Sequence, residues 1–225
     1  MSGEGTGFLY PFIDAEERDS GALLTDLAAS ARDKARESAA LQRSTLVECA
    51  TKVQEAGAAM ADRFAAGGRL FAFGNGGSST DAATFAGLFA QPVSGRPLPA
   101  LSLAADQAVV TALGNDVGFE LVFSRQIIAH ATDRDIAVAF STSGNSADLM
   151  SALHESSRRG LMTIGFAGYT GGEMAESPDV DFCFVVASQS IHRIQESQAL
   201  LGYQLWATVQ YRLRALRPTR QHQGA

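Results

Sequence analysis

Five short apolar runs separated by helical segments constrain the fold more than any other feature of this sequence. Each run is continuously apolar and is bounded by Gly, Pro, Asp or Ser, which is typical of strands buried on both faces. The runs occupy residues 69–73, 100–104, 135–140, 161–166 and 181–186. The segments with helical character occupy residues 79–91, 106–113, 118–131, 146–159 and 191–214. Strands that alternate with helices predict an α/β fold with a five-stranded, parallel, doubly wound sheet.

The residues before the first strand predict helices. Residues 21–66 are rich in alanine and contain no proline. Their apolar residues recur at helical spacing, beginning with Leu23, Leu24 and Leu27, as on one face of a helix. We therefore expect an N-terminal pair of long helices, the second of which ends at the Gly67-Gly68 pair.

The two ends of the chain differ in composition from the rest. Residues 1–20 are first glycine-rich and then acidic, with an apolar patch at Phe8–Ile13, and we expect an irregular arm there. Residues 217–225 are expected to form a flexible tail. The stretch between them, residues 21–216, has the length of one domain, so we expect a single domain that includes the N-terminal helices.

The charge balance excludes some partners. The chain carries 18 Lys and Arg against 24 Asp and Glu, for a net charge of −6, which makes a general nucleic-acid or anionic-membrane binder a poor expectation. The negative net charge is still compatible with a small anionic ligand, because backbone N–H groups can hold a phosphate. No basic region leads into an apolar run near the N-terminus, and the run Ser197–Tyr211 is too short for the roughly 20 residues of a membrane span. We expect a soluble, cytoplasmic protein.

The two cysteines fit that compartment. Cys49 and Cys183 are far apart in the chain and do not form a CxxC motif. Free, buried thiols in a reducing cytosol are favoured over a disulfide, which is the alternative.

Two loops follow predicted strands and run directly into helices. Gly74-Asn75-Gly76-Gly77-Ser78-Ser79 comes after the first strand, and its glycines allow a close backbone approach to a ligand at a helix N-terminus. It matches neither a GxGxxG nor a Walker A pattern, so neither a dinucleotide nor a triphosphate is indicated. A tight turn with a serine N-cap is the structural alternative.

The second loop is Ser141-Thr142-Ser143-Gly144-Asn145-Ser146, after the third strand. Four hydroxyls around a glycine at a helix start can donate hydrogen bonds to a phosphate monoester, while the helix end adds N–H donors and a positive dipole. A helix N-cap alone needs one hydroxyl rather than four. Because ligands of doubly wound sheets bind beyond the carboxyl ends of the strands, we expect a phosphorylated small molecule here.

Five motifs in order carry a resemblance to a known family. They are Gly74–Ser78, Gly114–Phe119, Ser141–Ser146, Gly168–Gly172 and Arg193–Glu196. With these motifs the chain resembles the sugar-isomerase (SIS) domain family, in particular its sedoheptulose-7-phosphate (phosphoheptose) isomerase branch. The resemblance covers roughly residues 21–213 and implies a phosphosugar-binding, flavodoxin-like sandwich that forms homotetramers with active sites at subunit interfaces.

The resemblance also implies roles for individual residues. Those implied to hold the phosphate are Ser141, Thr142, Ser143 and Ser146. Those implied to line the sugar site are Asn75, Gly76, Gly77, Ser78, Asp116 and Gln195.

The sequence departs from the isomerases at their metal and acid–base positions. These enzymes carry a His and a Glu four residues apart after the glycine loop, then a Gln and, eight residues later, a His. The four groups bind a metal, and the Glu and the later His transfer the proton between C1 and C2. Here the positions hold Thr84, Leu88, Gln195 and Tyr203. We therefore expect no metal and no cofactor, and we expect the family's isomerase activity to be lost or rebuilt.

Three functions remain open at this point. The first is a sugar-phosphate-binding SIS homotetramer without the family's activity. The second is an active phosphoheptose isomerase with a different acid–base pair, for which Glu196, His192 and Asp116 are the candidates, with Asp81 a further titratable group near the sugar. The third is a non-catalytic accessory protein that acts through a protein partner, like the family member that binds the replication initiator DnaA. For His192 the alternative is an exposed position without a catalytic role. For Glu196 the alternative is a buried ion pair, with Arg193 as one candidate partner.

Overall fold

The computed structural model describes residues 20–215. The predicted tail at 217–225 and all of the predicted arm except Ser20 lie outside the described residues. The chain divides into two units, Met1–Ala40 and Leu41–Ala225. In the first unit the described residues are helical, and Leu23, Leu24 and Leu27 are exposed. The predicted domain boundaries stay a prediction.

Helices and strands alternate from residue 70 onwards. The helices are α1 (Ser20–Ala65), α2 (Gly77–Ala90), α3 (Gln107–Asp116), α4 (Val122–His130), α5 (Ala147–Arg158), α6 (Gly172–Glu176) and α7 (Ile191–Ala215). The strands are β1 (Leu70–Gly74), β2 (Ala100–Ser102), β3 (Ile136–Phe140), β4 (Met162–Gly168) and β5 (Phe182–Val186). A 3-10 turn at Phe119–Leu121 precedes α4. The predicted strands are confirmed, β2 being shorter than expected.

The N-terminal region corrects one expectation. In place of the predicted pair of helices the structure has the single 46-residue helix α1. No glycine or proline lies between Ala22 and Ala56, so nothing in that stretch ends the helix. Gly57 continues it, and a Cβ there would lie 2.5 Å from Thr208 Cγ2. Gly57 is therefore a point of close packing between α1 and α7, not a helix stop.

The five strands form one parallel sheet in the order β2-β1-β3-β4-β5. In register, Leu70 of β1 lies beside Ala100 on one side and Ile136 on the other. The chain moves outward in opposite directions from β1 and β3, which places the topological switch point between these two strands. Open α/β sheets bind ligands at such a point, beyond the carboxyl ends of the strands.

Successive strand residues pack into two cores on opposite faces of the sheet. Leu70 and Ala72 belong to the core under α1, α2 and α7, whereas Phe71 and Phe73 belong to the core under α4 and α5. Both cores exclude water, since every residue of β1, β3 and β4 is buried. This burial on both faces explains the unbroken apolar runs in the sequence.

The structure gives two findings that concern the cysteines and membrane-spanning helices. Cys49 and Cys183 are both free thiols; Cys49 is buried as expected, whereas Cys183 is only partly buried. Partial burial raises the pKa of Cys183 to about 11. Between residues 20 and 215, no helix is long and apolar enough to cross a bilayer.

Candidate phosphosugar site

The glycine loop and the hydroxyl loop flank the switch point, because they follow β1 and β3 directly. α2 begins at Gly77, and its N-cap is Gly76, with φ +52° and no side-chain cap bond. The alternative of a serine N-cap is therefore wrong. Ser79 and Thr80 instead donate their hydroxyls back to the carbonyls of Gly76 (2.6 Å) and Gly77 (2.5 Å).

The side chain of Asn75 is held by a buried carboxylate. Its Nδ2 donates to both carboxylate oxygens of Asp148, at 3.0 and 2.8 Å. Asp148 lies in the first turn of α5 and is 4% exposed. The pair ties the glycine loop to the helix after the hydroxyl loop. Sequence reasoning missed Asp148, and its only signal was an acidic residue in a first helical turn.

The hydroxyl loop has a fixed backbone. Ser141 Oγ accepts a hydrogen bond from the Gly144 N–H at 2.9 Å, and Ser143 Oγ accepts one from the Asn145 N–H at 3.3 Å. The two hydroxyl oxygens lie 3.5 Å apart. Gly144 has φ +71°, and a Cβ there would lie 2.0 Å from the Gly171 carbonyl oxygen, so both its conformation and its neighbour require glycine.

Ser146 is the N-cap of α5, yet its side chain makes no capping hydrogen bond. The hydroxyl is therefore not used to satisfy the helix end. It lines a pocket of about 110 Å³ between the two loops. The lining residues are Asn75, Ser78, Phe140, Ser141, Thr142, Ser143, Ser146 and Leu149. No lysine or arginine is among them, so an anion there would rely on hydroxyls, backbone N–H groups and the α5 dipole.

Gln195 and Asp81 form a second polar pair beside the glycine loop. Gln195 Nε2 donates to Asp81 Oδ2 at 2.9 Å, and a Cβ on Gly77 would lie 2.7 Å from that nitrogen. Burial raises the pKa of Asp81, and the hydrogen bond from Gln195 offsets only part of the effect. The Asp81 carboxyl, which lies near the site, therefore keeps its proton up to a higher pH than an ordinary aspartate does.

The three predicted catalytic residues lie on two helices, Asp116 on α3 and His192 and Glu196 one turn apart on α7. Asp116 ends α3 and accepts a hydrogen bond from Asn115 Nδ2 at 3.0 Å. His192 and Glu196 are both exposed on α7. Exposure contradicts the alternative of a buried ion pair for Glu196 and fits the exposed position considered for His192. Whether they act with a second subunit stays a prediction.

Thr84, Leu88 and Tyr203, which the resemblance places at the metal positions of the isomerases, are side chains that do not fit zinc. Thr84 and Leu88 line a cavity of about 40 Å³, and Tyr203 packs its ring 5.3 Å from that of Trp206. A neutral hydroxyl, a hydrocarbon and a phenol are not the imidazole, carboxylate and thiolate ligands that zinc takes in proteins. Within residues 20–215, no three His, Cys, Asp or Glu side chains are grouped to hold a metal ion.

Comparison with known proteins defines the class to which this fold and site belong. The family model described as SIS domain matches residues 35–168. The chain belongs to the SIS domain family.

Its similarity within that family is to phosphoheptose isomerases. It is 38% identical over 171 residues to the phosphoheptose isomerase of Rhodospirillum rubrum, covering 73% of this chain and 88% of that one. It is 40% identical over 146 residues to the enzyme of Aneurinibacillus thermoaerophilus, covering 64% and 73%. The structure of the phosphoheptose isomerase from Neisseria gonorrhoeae superimposes with a TM-score of 0.72 at 30% identity, over 83% of this chain and 98% of that one. The resemblance and the fold class are confirmed.

Proposed function

We propose that this protein binds a phosphorylated sugar, with the phosphate in the pocket between the glycine loop and the hydroxyl loop. The observation that carries the proposal is the N-cap Ser146, whose hydroxyl makes no cap bond and instead lines the pocket with Ser141, Thr142 and Ser143. The relatives support a sugar phosphate as the ligand, because the similar proteins of Rhodospirillum rubrum and Aneurinibacillus thermoaerophilus are named phosphoheptose isomerases.

The proposed binding mode uses no cationic side chain. Phosphate oxygens would accept hydrogen bonds from the hydroxyls and from N–H groups at the start of α5, whose dipole adds about 0.3–1 kcal/mol. Asn75, held by Asp148, and Ser78 would contact the sugar. Gly76 and Gly77 would admit it close to the backbone, with Asp116 and Gln195 as further contacts.

We also propose that the family's metal-dependent isomerisation is lost. Thr84, Leu88 and Tyr203 supply neither metal ligands nor a base, and the loss of a positioned base costs about 10²–10⁴-fold in rate. An isomerase with a rebuilt acid–base pair is the second candidate, favoured by the raised pKa of Asp81 next to the glycine loop. Cytoplasmic location, a homotetramer and a protein partner stay predictions.

The test is proton NMR of sedoheptulose 7-phosphate with the purified protein in D₂O. We expect line broadening or shifts of the sugar signals on binding, but no deuterium next to the carbonyl beyond a heat-killed control. Deuterium entry or an aldose anomeric signal would establish the rebuilt isomerase instead. A sugar phosphate spectrum that the protein leaves unchanged would contradict the binding proposal.

A further inference from the structure

Three buried side-chain atoms among residues 20–215 have no hydrogen-bond partner, and all three lie on α7. They are Ser197 Oγ, Gln198 Oε1 and Trp206 Nε1. A buried polar atom left unpaired typically costs about 1–3 kcal/mol, and such exceptions often have a functional reason. Of the three residues, Gln198 lines a cavity near the glycine loop.

Gln198 joins α7 to the hydroxyl loop. It is fully buried, at 0% exposure, and its Nε2 donates to the carbonyl oxygen of Ser141 at 2.8 Å. That hydrogen bond fixes the orientation of the amide, because the nitrogen must face the loop. The carbonyl oxygen Oε1 is consequently the atom left over for another donor.

The cavity that Gln198 lines lies next to the proposed phosphate pocket, since Phe140 lines both. Its volume of about 40 Å³ exceeds the roughly 10–15 Å³ that one water molecule needs. Most of its wall is apolar, and Asp81, Thr84 and Gln198 supply the polar groups. The lining residues are Asp81, Thr84, Phe85, Leu88, Phe140, Gln198, Ala199 and Gly202.

The size and the lining of this cavity fit a small group that is partly apolar. The cavity is too small for a sugar ring but has room for the end of a carbon chain. A methylene fits the apolar wall of Phe85 and Leu88, and a hydroxyl on that carbon can donate to an acceptor. A terminal hydroxymethyl group therefore matches both the wall and the unpaired oxygen.

We propose, on the basis of the proposed phosphosugar function, that Gln198 is a specificity-determining residue whose Oε1 accepts a hydrogen bond from the terminal hydroxymethyl of the sugar. Its amide nitrogen positions the hydroxyl loop, and its amide oxygen recognises the end of the ligand remote from the phosphate.

The test compares sedoheptulose 7-phosphate with its 1-deoxy analogue by isothermal titration calorimetry. We expect the protein to bind the hydroxylated sugar on the order of tenfold more tightly or better, because the analogue leaves Oε1 unpaired. In Gln198→Met we expect this preference to fall to about one. Loss of the hydrogen bond to Ser141 affects the binding of both sugars alike, so it does not change the ratio of their two affinities.

A second variant keeps Gln198 intact. Ala199 is exposed on α7 and lines the cavity, so we expect Ala199→Leu to add bulk at the cavity with little effect on the core. We expect it to weaken binding of sedoheptulose 7-phosphate at least tenfold while leaving the affinity for inorganic phosphate unchanged. Ala129→Leu, an exposed alanine of α4, is the matched control and should change neither.

The outcomes separate the two proposals. If the unaltered protein fails to bind sedoheptulose 7-phosphate, the proposed function is wrong and the role of Gln198 falls with it. If it binds both sugars equally, or if Gln198→Met keeps the full preference, the role of Gln198 alone is wrong.

Discussion

The hydroxyl of Ser146 does not make the hydrogen bond that a serine at a helix N-cap usually makes. A serine at a helix N-cap normally accepts a hydrogen bond from an N–H of the first turn. Here the side chain makes no such bond, so its oxygen is available to the pocket. Ser143 differs, because its Oγ already accepts a hydrogen bond from Asn145 N–H at 3.3 Å and would use its own O–H for a ligand.

The first prediction concerns these two hydroxyls. Ser143→Ala combined with Ser146→Ala should weaken binding of sedoheptulose 7-phosphate on the order of a hundredfold, since each hydrogen bond to a charged group contributes about 1.5–3 kcal/mol. Calorimetric titration measures the change. Ser151→Ala, also on α5 but outside the pocket lining, should bind as the unaltered protein does. If the double variant binds the sugar phosphate with unchanged affinity, the proposal that the hydroxyl loop holds the phosphate is wrong.

At the scale of elements, the hydroxyl loop depends on the loop after β4. Gly144 packs against the Gly171 carbonyl, and the Gly144 carbonyl accepts a hydrogen bond from the Met174 N–H at 2.9 Å. Asn145 Oδ1 accepts one from the Glu173 N–H at 2.8 Å. The start of α6 therefore supports the loop proposed to hold the phosphate.

The second prediction tests that support. Gly144→Ala should reduce both stability and phosphosugar affinity, because a methyl group would meet the Gly171 carbonyl oxygen at 2.0 Å. Gly67→Ala is the control, since Gly67 also has a positive φ (+85°) but no atom within 4 Å of an added Cβ. We expect Gly67→Ala to cost about 1–2 kcal/mol of unfolding free energy and Gly144→Ala clearly more, both measured by chemical denaturation. Equal losses would mean that contact with Gly171 has no effect.

Across the molecule from the site, an ion pair links the segments that lead into β1 and β3, at the amino ends of these strands. Asp135, almost completely buried, accepts hydrogen bonds from the backbone N–H groups of Arg69 and Thr132 at 2.7 and 2.8 Å. Arg69 Nη2 lies 3.0 Å from its Oδ2. Burial raises the pKa of Asp135, but the hydrogen bonds and charge of these partners lower it by more.

The third prediction follows from the sign of that shift. A carboxyl whose pKa is lower in the folded than in the unfolded state stabilises the fold above its unfolded pKa. Asp135→Asn should therefore lower the unfolding free energy by about 1–3 kcal/mol at neutral pH. The deficit should shrink as pH falls below about 4, through the lowered folded-state pKa of Asp135.

Denaturant titrations of both proteins between pH 7 and pH 3 provide the measurement. Asp133→Asn is the control, because Asp133 is exposed on the same turn and should leave stability unchanged. A deficit that stays constant down to pH 3 would show that the charge of Asp135 does not contribute to stability.

The five strands, their parallel arrangement and the two loops at the carboxyl ends of the strands could be predicted from the sequence alone. These features depend on local pattern: continuous apolar runs indicate strands buried on both faces, and glycines and hydroxyls before a helix predict an anion site. The resemblance to the isomerases added the expectation that Thr84, Leu88 and Tyr203 stand in place of metal ligands. The length of α1 was not predicted, since apolar residues at helical spacing fit two consecutive helices as well as one.

The contacts between side chains that are distant in the sequence could be seen only in the folded structure. Asp148 holds Asn75 across 73 residues of sequence, and Gln198 reaches Ser141 across 57. Periodicity indicates which face of α5 or α7 is buried, but it does not name the partner on the other element. A hydrogen bond between distant residues depends on the angle and distance at which two elements pack, and those are set by the whole core rather than by any local run of residues.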